Sequence, residues 1–212
     1  RHRMSFRKNT SGGSTGEPVL LLQDKDYLDW VAASEMYGNE CAGYAQGERL
    51  IKLWGSEKEI LHGSESFLVR CFNYLSNTLV LNTFKMSEAD MTAYVRIINR
   101  QKPSLIVSYV QSAYELSRFI IQNNIYVHSP SSVICSAGTL YDFHIEAISK
   151  AFTCEVINRY GSRETGLMAH TCLDHSNYMK TFPTLHIIEV LDKHLNDVKP
   201  GEIGEIYVTA LT

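Results

Sequence analysis

Two short stretches of the sequence carry residue types suited to binding a phosphorylated ligand. The first, "NTSGGSTGEPV" at 9–19, places four hydroxyl side chains and three glycines directly before an apolar run. Backbone N–H groups and hydroxyls of such a segment can converge on a phosphate, and glycines allow a close approach because they have no Cβ. A flexible linker is the alternative, since neither GxxxxGK[ST] nor GxGxxG is present in this stretch.

The second stretch, "NRYGSRETG" at 158–166, combines an aromatic side chain with a carboxylate. Tyr160 could stack on a purine, and Glu164 offers the oxygen ligand that a hard cation bridging phosphates requires. A carboxylate buried without a partner at this place would destabilise the fold, which favours a ligand role for Glu164. Taken alone, a solvated turn beside a buried tyrosine is the simpler interpretation.

The elements that must position these stretches alternate between strand and helix. Apolar runs predict strands at 18–23, 49–55, 77–84, 104–109, 131–138 and 154–161, with helices between them. One of these helices, 87–100, starts with Ser87 and Asp90 in a capping-box spacing. The chain ends with two strands, 184–192 and 204–211, on either side of a Lys-Pro-Gly turn.

This alternation predicts an α/β fold: a mostly parallel or mixed sheet flanked by helices, with a β-rich C-terminal end. Ligands of such folds bind at the carboxyl ends of the strands. The informative loops are therefore "GSRETG", "SAGTLY" and "YVQS", each of which follows a predicted strand.

Composition narrows the class of protein. The 212 residues carry a net charge of -3 without a basic block, which argues against nucleic acid as a partner. No apolar run reaches the length of a membrane span. Five scattered cysteines, an odd number, favour reduced thiols over a disulfide framework, so we expect a cytoplasmic protein.

In their order along the chain, the two stretches and an intervening "CSAG" at 135–138 resemble the motifs of the adenylate-forming superfamily. Within it, the chain is most similar to the phenylacetate–CoA ligase branch, which includes CapK-type proteins and coenzyme F-390 synthetase. The segments that carry this resemblance are "TSGGSTGEP" (10–18), "KLWGSEKEIL" (52–61), "FKMSEADMTAY" (84–94), "PSLIVSYVQSAYELS" (103–117), "INRYGSRETGLMAHTC" (157–172) and "GEIGEIYVTAL" (201–211).

The resemblance implies a nucleotide site for ATP and AMP. The residues that match the loop holding the β- and γ-phosphates are Thr10, Ser11, Gly12, Gly13, Ser14, Thr15 and Gly16. Ala137 and Gly138 match the strand end that lines the adenine pocket. Tyr160 and Gly161 match the wall beside adenine and phosphate, with Ser162 next to them.

The same resemblance implies a reaction. Glu164 matches the carboxylate that binds Mg²⁺, and the enzyme joins a carboxylic acid to ATP, releasing pyrophosphate and forming an acyl-adenylate. Transfer to a thiol such as coenzyme A usually follows. Tyr109, Ser112 and Tyr114 are candidates for the acid pocket, in a region that varies among such families.

Two positions depart from the family's pattern. Glu17 stands where many relatives have lysine, and Arg163 where many have threonine or serine. Arg163 could bind the α-phosphate with two hydrogen bonds, or it could pair with Glu164 at the surface. These departures leave open a non-catalytic nucleotide- or acyl-binding module as the alternative to an enzyme; a structural domain is a third interpretation.

The resemblance also leads us to expect a single α/β piece of a large N-terminal domain. The family's ribose-binding aspartate and its lysine-bearing C-terminal lid match no part of residues 1–212. We expect this piece by itself to be inactive, and unpaired sheet edges make a homodimer a further expectation.

A second metal site is predicted by the segment "HTCLDH" at 170–175. Cys172 with His170, His175 and the more distant His186 forms a set of soft sulfur and imidazole ligands suited to zinc. A free cysteine beside surface histidines is the alternative, since a CxxC pair is absent.

Overall fold

The computed structural model describes residues 6–10, 19–55, 67–173, 178–182 and 184–211, with the side chains of 67–70 excluded. In these ranges the strands are β1 (Arg7–Thr10), β2 (Leu20–Gln23), β3 (Leu50–Trp54), β4 (Thr78–Asn82), β5 (Leu105–Tyr109), β6 (Ser132–Ser136), β7 (Glu155–Ser162), β8 (Gly166–His170), β9 (Lys180–Thr181), β10 (His186–Leu191) and β11 (Glu205–Ala210). The helices are α1 (Lys25–Cys41), α2 (Phe67–Leu75), α3 (Glu88–Gln101), α4 (Val110–Gln122) and α5 (Asp142–Phe152).

The largest sheet has seven strands in the order β4-β3-β5-β6-β7-β8-β9. The pairs from β4 to β7 are parallel, and β8 pairs with β9 in antiparallel fashion. Two further antiparallel ribbons are formed by β1-β2 and by β10-β11. The predicted α/β class, with a mostly parallel sheet and a β-rich C-terminal end, is confirmed.

The chain divides into two compact units. The first contains 1–37, 160–170 and 179–212, and therefore the β1-β2 ribbon, most of α1, the β7-β8 turn and the β10-β11 ribbon. The second contains 38–159 and 171–178, and therefore the parallel strands β3 to β6, most of β7 and helices α2 to α5.

The second unit is built around parallel strands that are apolar on both faces, as expected for a sheet covered on both sides. Ile51, Ile106 and Val133 pack on one face with residues of α3, α4 and α5. Leu105 and Ile134 point to the other face, where Ala42 covers them. This packing fixes the carboxyl ends of four neighbouring strands along one edge.

Helix α3 shows how local sequence sets the boundaries. Ser87 Oγ accepts a hydrogen bond from Asp90 N (3.2 Å), and Asp90 Oδ2 accepts one from Ser87 N (3.0 Å), which confirms the predicted capping box. The helix ends at Lys102, whose φ of 46° is left-handed, directly before Pro103.

Within the described ranges, every helix is too short or too polar to cross a bilayer.

Candidate functional site

The turn that carries Glu164 joins β7 to β8 in the first unit. Ser162 Oγ accepts hydrogen bonds from the backbone N–H groups of Glu164 and Thr165, both at 3.2 Å. Ser162 therefore shapes the turn through its own hydroxyl. Position 161 requires glycine because the backbone of Gly166 lies close to it: a Cβ on residue 161 would lie 2.5 Å from Gly166 O.

The three carbonyl groups of this turn all accept hydrogen bonds from buried side chains. Gln23 Nε2 donates to Arg163 O (2.9 Å), Tyr27 OH to Glu164 O (3.2 Å) and His186 Nε2 to Thr165 O (2.6 Å). The Glu164 side chain itself is exposed. The expectation that burial would make this carboxylate costly was therefore wrong, although its position in a turn at the end of a strand is as predicted.

Burial raises the pKa of the phenol that donates to Glu164 O. Desolvation raises the pKa of Tyr27 above its ordinary value and the charge of Glu164 raises it further, while a hydrogen bond with Gln23 acts in the opposite direction. The phenol, protonated at neutral pH even at its ordinary pKa, therefore keeps its proton to a higher pH, as the bond to Glu164 O requires.

Arg163 connects the turn with the other predicted stretch. Its Nη1 donates a hydrogen bond of 3.0 Å to Thr10 O, and Thr10 is the last residue of β1. Because Thr10 pairs with Leu20 of β2, the segment between them is the connection of this ribbon. The remaining predicted loop residues, Ser11 to Gly16, and Glu17 lie outside the described residues.

Among the described residues, Arg163 and Glu164 do not form an ion pair, in contrast to Lys25–Asp29 and Glu115–Arg118. The guanidinium donates to Thr10 O instead, a contact that was not predicted from the sequence.

A hollow of about 220 Å³ lies beside the turn in the first unit. It is lined by Leu21, Leu22, Gln23, Asp24, Tyr27, Glu164 and Ala210. Asp24 Oδ1 accepts a hydrogen bond from Tyr27 N (2.8 Å) near the start of α1. Two carboxylates thus border the hollow, and oxygen donors of this kind suit Mg²⁺.

In the second unit, the predicted adenine-pocket residues follow the end of β6. Ala137 has a left-handed φ of 56°, so the backbone turns sharply after the strand. A Cβ on Gly138 would lie 3.4 Å from the Cβ of Val110, which places this glycine against the first residue of α4. Tyr160, in the first unit, is 42% exposed.

The carboxyl ends of the parallel strands also carry an aromatic pair that sequence reasoning did not single out. The Trp54 and Tyr109 rings stack with centroids 3.9 Å apart at 26°. Asn82 is in register with Trp54, and Ser136 with Tyr109, so the four residues form one row across β4, β3, β5 and β6. The run "KLWG" contained Trp54, but its partner became visible only through the pairing of β3 with β5.

The other two candidates for an acid pocket have different environments. Ser112 is buried, and its hydroxyl donates to Thr83 Oγ1 (2.9 Å). Tyr114 packs edge-on against Phe143, with ring centroids 5.5 Å apart. Of the three candidates, only Tyr109 belongs to the strand-end row.

Two thiols come together in the second unit. The Sγ atoms of Cys41 and Cys172 lie within 4.8 Å of each other. Cys172 was predicted as a zinc ligand, whereas Cys41 was missed because it lies in α1, far from Cys172 in the sequence. His175 lies outside the described residues, and His186 Nε2 contacts Thr165 O in the first unit.

Two further thiols of the second unit have raised pKa values. Burial raises the pKa of Cys135 to about 12. The pKa of Cys154 is raised to about 12 as well, through burial and the neighbouring charge of Glu155. Both side chains are therefore neutral thiols at neutral pH.

Comparisons with known proteins agree with the resemblance drawn from the sequence. The chain is 25% identical over 158 residues to protein CapK of Staphylococcus aureus, covering 74% of this chain and 35% of CapK. No protein-family model matches the chain.

Two solved structures share the fold. A 2-hydroxyisobutyryl-CoA ligase in complex with 2-HIB-AMP and CoA superposes with a TM-score of 0.73 at 13% identity, over 100% of this chain and 49% of that one. ATP-bound MatB from Rhodopseudomonas palustris gives a TM-score of 0.66 at 13% identity, over 96% and 39%. The chain thus spans about a third of CapK and half or less of these two structures.

Proposed function

We propose that this chain is the nucleotide-binding part of an adenylate-forming ligase, which activates a carboxylic acid with ATP and passes the acyl group to a thiol such as coenzyme A. The observation that carries the proposal is the Arg163–Thr10 hydrogen bond, because it joins the two stretches selected from the sequence at one place. The shared fold with an acyl-CoA ligase bound to an adenylate supports it.

The residues present are of the types that bind a complex of Mg²⁺ and a nucleotide. Glu164 projects an exposed carboxylate from a turn whose carbonyl groups point to buried donors, and Asp24 borders the same hollow. Hydroxyls and glycines of the loop that follows Thr10 would hold the β- and γ-phosphates. Bound Mg²⁺ would neutralise phosphate charge there.

Arg163 has further N–H donors that could bind a phosphate. One of its N–H groups is used on Thr10 O, and a guanidinium has five. We propose that the remaining donors contact the α-phosphate. Ala137 and Gly138 would line the adenine base, and Tyr160 has an exposed ring suited to stacking on a purine.

The chemistry follows from alignment and charge neutralisation. A carboxylate oxygen of the acid attacks the α-phosphorus, the bond to the β-phosphate oxygen breaks, and pyrophosphate leaves. The thiol then attacks the acyl carbon, and AMP departs with the oxygen that came from the acid. We propose that the ribose-binding aspartate and the catalytic lysine belong to a longer protein of which this chain is one piece.

We also propose a structural zinc site at Cys41 and Cys172. Thiolates within 4.8 Å of each other are spaced as two ligands of a tetrahedral ion, whose Zn–S bonds are about 2.3 Å. Further ligands would come from the segment around Cys172, where His170 and His175 flank it in sequence.

The alternative is a nucleotide- or acyl-binding module without catalysis, which the glutamate at position 17 favours because it removes a cation from the loop. Acid-dependent exchange of labelled pyrophosphate into ATP, measured on the longer protein with a panel of carboxylic acids, separates the two. An enzyme shows exchange with at least one acid; a binding module binds nucleotide but shows none.

A further inference from the structure

The turn between β7 and β8 is held from the interior by three side chains that lie far apart in sequence. Gln23 comes from β2, Tyr27 from α1 and His186 from β10. They are 9%, 9% and 3% exposed, respectively. Each donates to one of three consecutive carbonyl groups, those of Arg163, Glu164 and Thr165.

The bond to Thr165 O defines the state of the His186 ring. A carbonyl oxygen can only accept, so Nε2 carries the proton. The other ring nitrogen, Nδ1, is buried and has no hydrogen-bond partner within the described residues. His186 therefore makes one short hydrogen bond, at 2.6 Å, and that bond is to the turn.

These bonds restrict the backbone around Glu164. Its own peptide carbonyl and those on both sides are tied inward, while the N–H groups of Glu164 and Thr165 are taken by Ser162 Oγ. A flip of any of these peptides would leave a buried donor without a partner, which is unfavourable. The carboxylate is thereby directed outward from a rigid base.

We infer that Gln23, Tyr27 and His186 are positioning residues that fix the place of the Glu164 carboxylate. For His186 this assignment differs from the zinc role predicted from the sequence. The effect of these three residues on the binding of Mg²⁺ with a nucleotide rests on the proposed function, whereas their restraint of the turn does not.

The test uses substitutions that remove a donor and keep the packing. Tyr27→Phe removes the hydroxyl that reaches Glu164 O, and His186→Met removes the donor to Thr165 O. His186→Gln is the conservative variant, because its side-chain amide can donate from a similar distance. Tyr44→Phe is the matched control, since Tyr44 OH donates to Glu48 O (3.1 Å) in a loop of the second unit.

The first measurement is hydrogen–deuterium exchange of the peptide that covers 160–170, on the folded chain. Loss of one buried hydrogen bond should accelerate exchange about three- to tenfold in Tyr27→Phe and in His186→Met. His186→Gln and Tyr44→Phe should exchange like the wild type. Wild-type exchange in both donor-removing variants would overturn the restraint on the turn.

The second measurement is the Mg²⁺ dependence of pyrophosphate exchange, made on the longer protein of which this chain is proposed to be one piece. Tyr27→Phe and His186→Met should raise the Mg²⁺ concentration for half-maximal rate about three- to tenfold, with His186→Gln restoring it. Faster deuterium exchange with an unchanged Mg²⁺ dependence would show a purely structural role and overturn the positioning role. If the wild type shows no pyrophosphate exchange with any acid, the proposed function fails, and deuterium exchange alone then decides whether these residues hold the turn.

Discussion

Arg163 Nη1 donates a hydrogen bond of 3.0 Å to Thr10 O, across 153 positions of sequence. The contact links the turn of Glu164 to the residue that precedes the hydroxyl- and glycine-rich segment of the sequence. An arginine at this position thus connects the two parts of a proposed phosphate site, which a threonine or serine side chain is too short to do in the same way.

Arg163→Ala should weaken ATP binding about ten- to a hundredfold, because it removes the charged donors proposed for the α-phosphate together with the bond to Thr10 O. Arg163→Lys should lose less, because an ammonium can still donate. Calorimetric titration with ATP measures this. Arg96→Ala, which removes an exposed arginine of α3, is the control. Equal affinities for all four proteins would show that the contact has no part in binding.

In the longer protein, Glu164→Gln should reduce adenylation about 10²-fold or more, because it removes a charge that acts on the proposed complex of Mg²⁺ and nucleotide. The side chain is exposed, so the melting temperature should change little. Pyrophosphate exchange and thermal melting measure the two effects, with Glu189→Gln on β10 as the matched exposed control. A variant that melts at a much lower temperature yet keeps its activity at low temperature would contradict the assignment of Glu164 to Mg²⁺ and nucleotide.

Gly161→Ala should lower the melting temperature clearly, since the new Cβ would lie 2.5 Å from Gly166 O and 3.2 Å from Leu167 Cα, both backbone atoms. Gly138→Ala should melt like the wild type, because its nearest contact would be 3.4 Å from Val110 Cβ. Thermal melting followed by circular dichroism distinguishes them. Similar melting temperatures of the two variants would mean that the backbone around Gly166 moves away from residue 161 at little cost, contrary to the close approach in the structure.

Protein purified without chelator should contain about one zinc per chain, as expected for a structural site. Cys41→Ser and Cys172→Ser should each lose the metal, since both thiols belong to the same close pair. Cys71→Ser should retain it, because that cysteine lies on α2. Elemental analysis measures the zinc content of the four proteins. Folded wild type without zinc would contradict a metal site at these two thiols.

The regular elements could be predicted because their local signals agree with their tertiary environment. The strand expected at 104–109 is β5, Leu105–Tyr109, and the helix expected at 87–100 is α3, Glu88–Gln101. Continuous apolar runs and a capping box depend on neighbours in sequence, so no knowledge of the rest of the fold is needed.

Three short strands of antiparallel pairs, β1, β8 and β9, were not predicted. Strand β8, Gly166–His170, follows a turn with no Asn-Gly or Asp-Gly signal, and β9 has only two residues. The Cys41–Cys172 pair and the donors from Gln23 and His186 to the turn were missed for a related reason. Each joins residues far apart in the chain, and a single sequence contains no periodic signal for such contacts.

The proposed reaction is tested most directly by following the oxygen atoms of the acid. Once pyrophosphate exchange has identified an acid, the longer protein is incubated with that acid labelled with ¹⁸O in its carboxylate, together with ATP, Mg²⁺ and coenzyme A. Attack of the carboxylate on the α-phosphorus leaves one acid oxygen on the phosphate, so AMP is predicted to carry a single ¹⁸O when analysed by mass spectrometry. Turnover that yields unlabelled AMP, or ADP in place of AMP, would contradict activation through an acyl-adenylate.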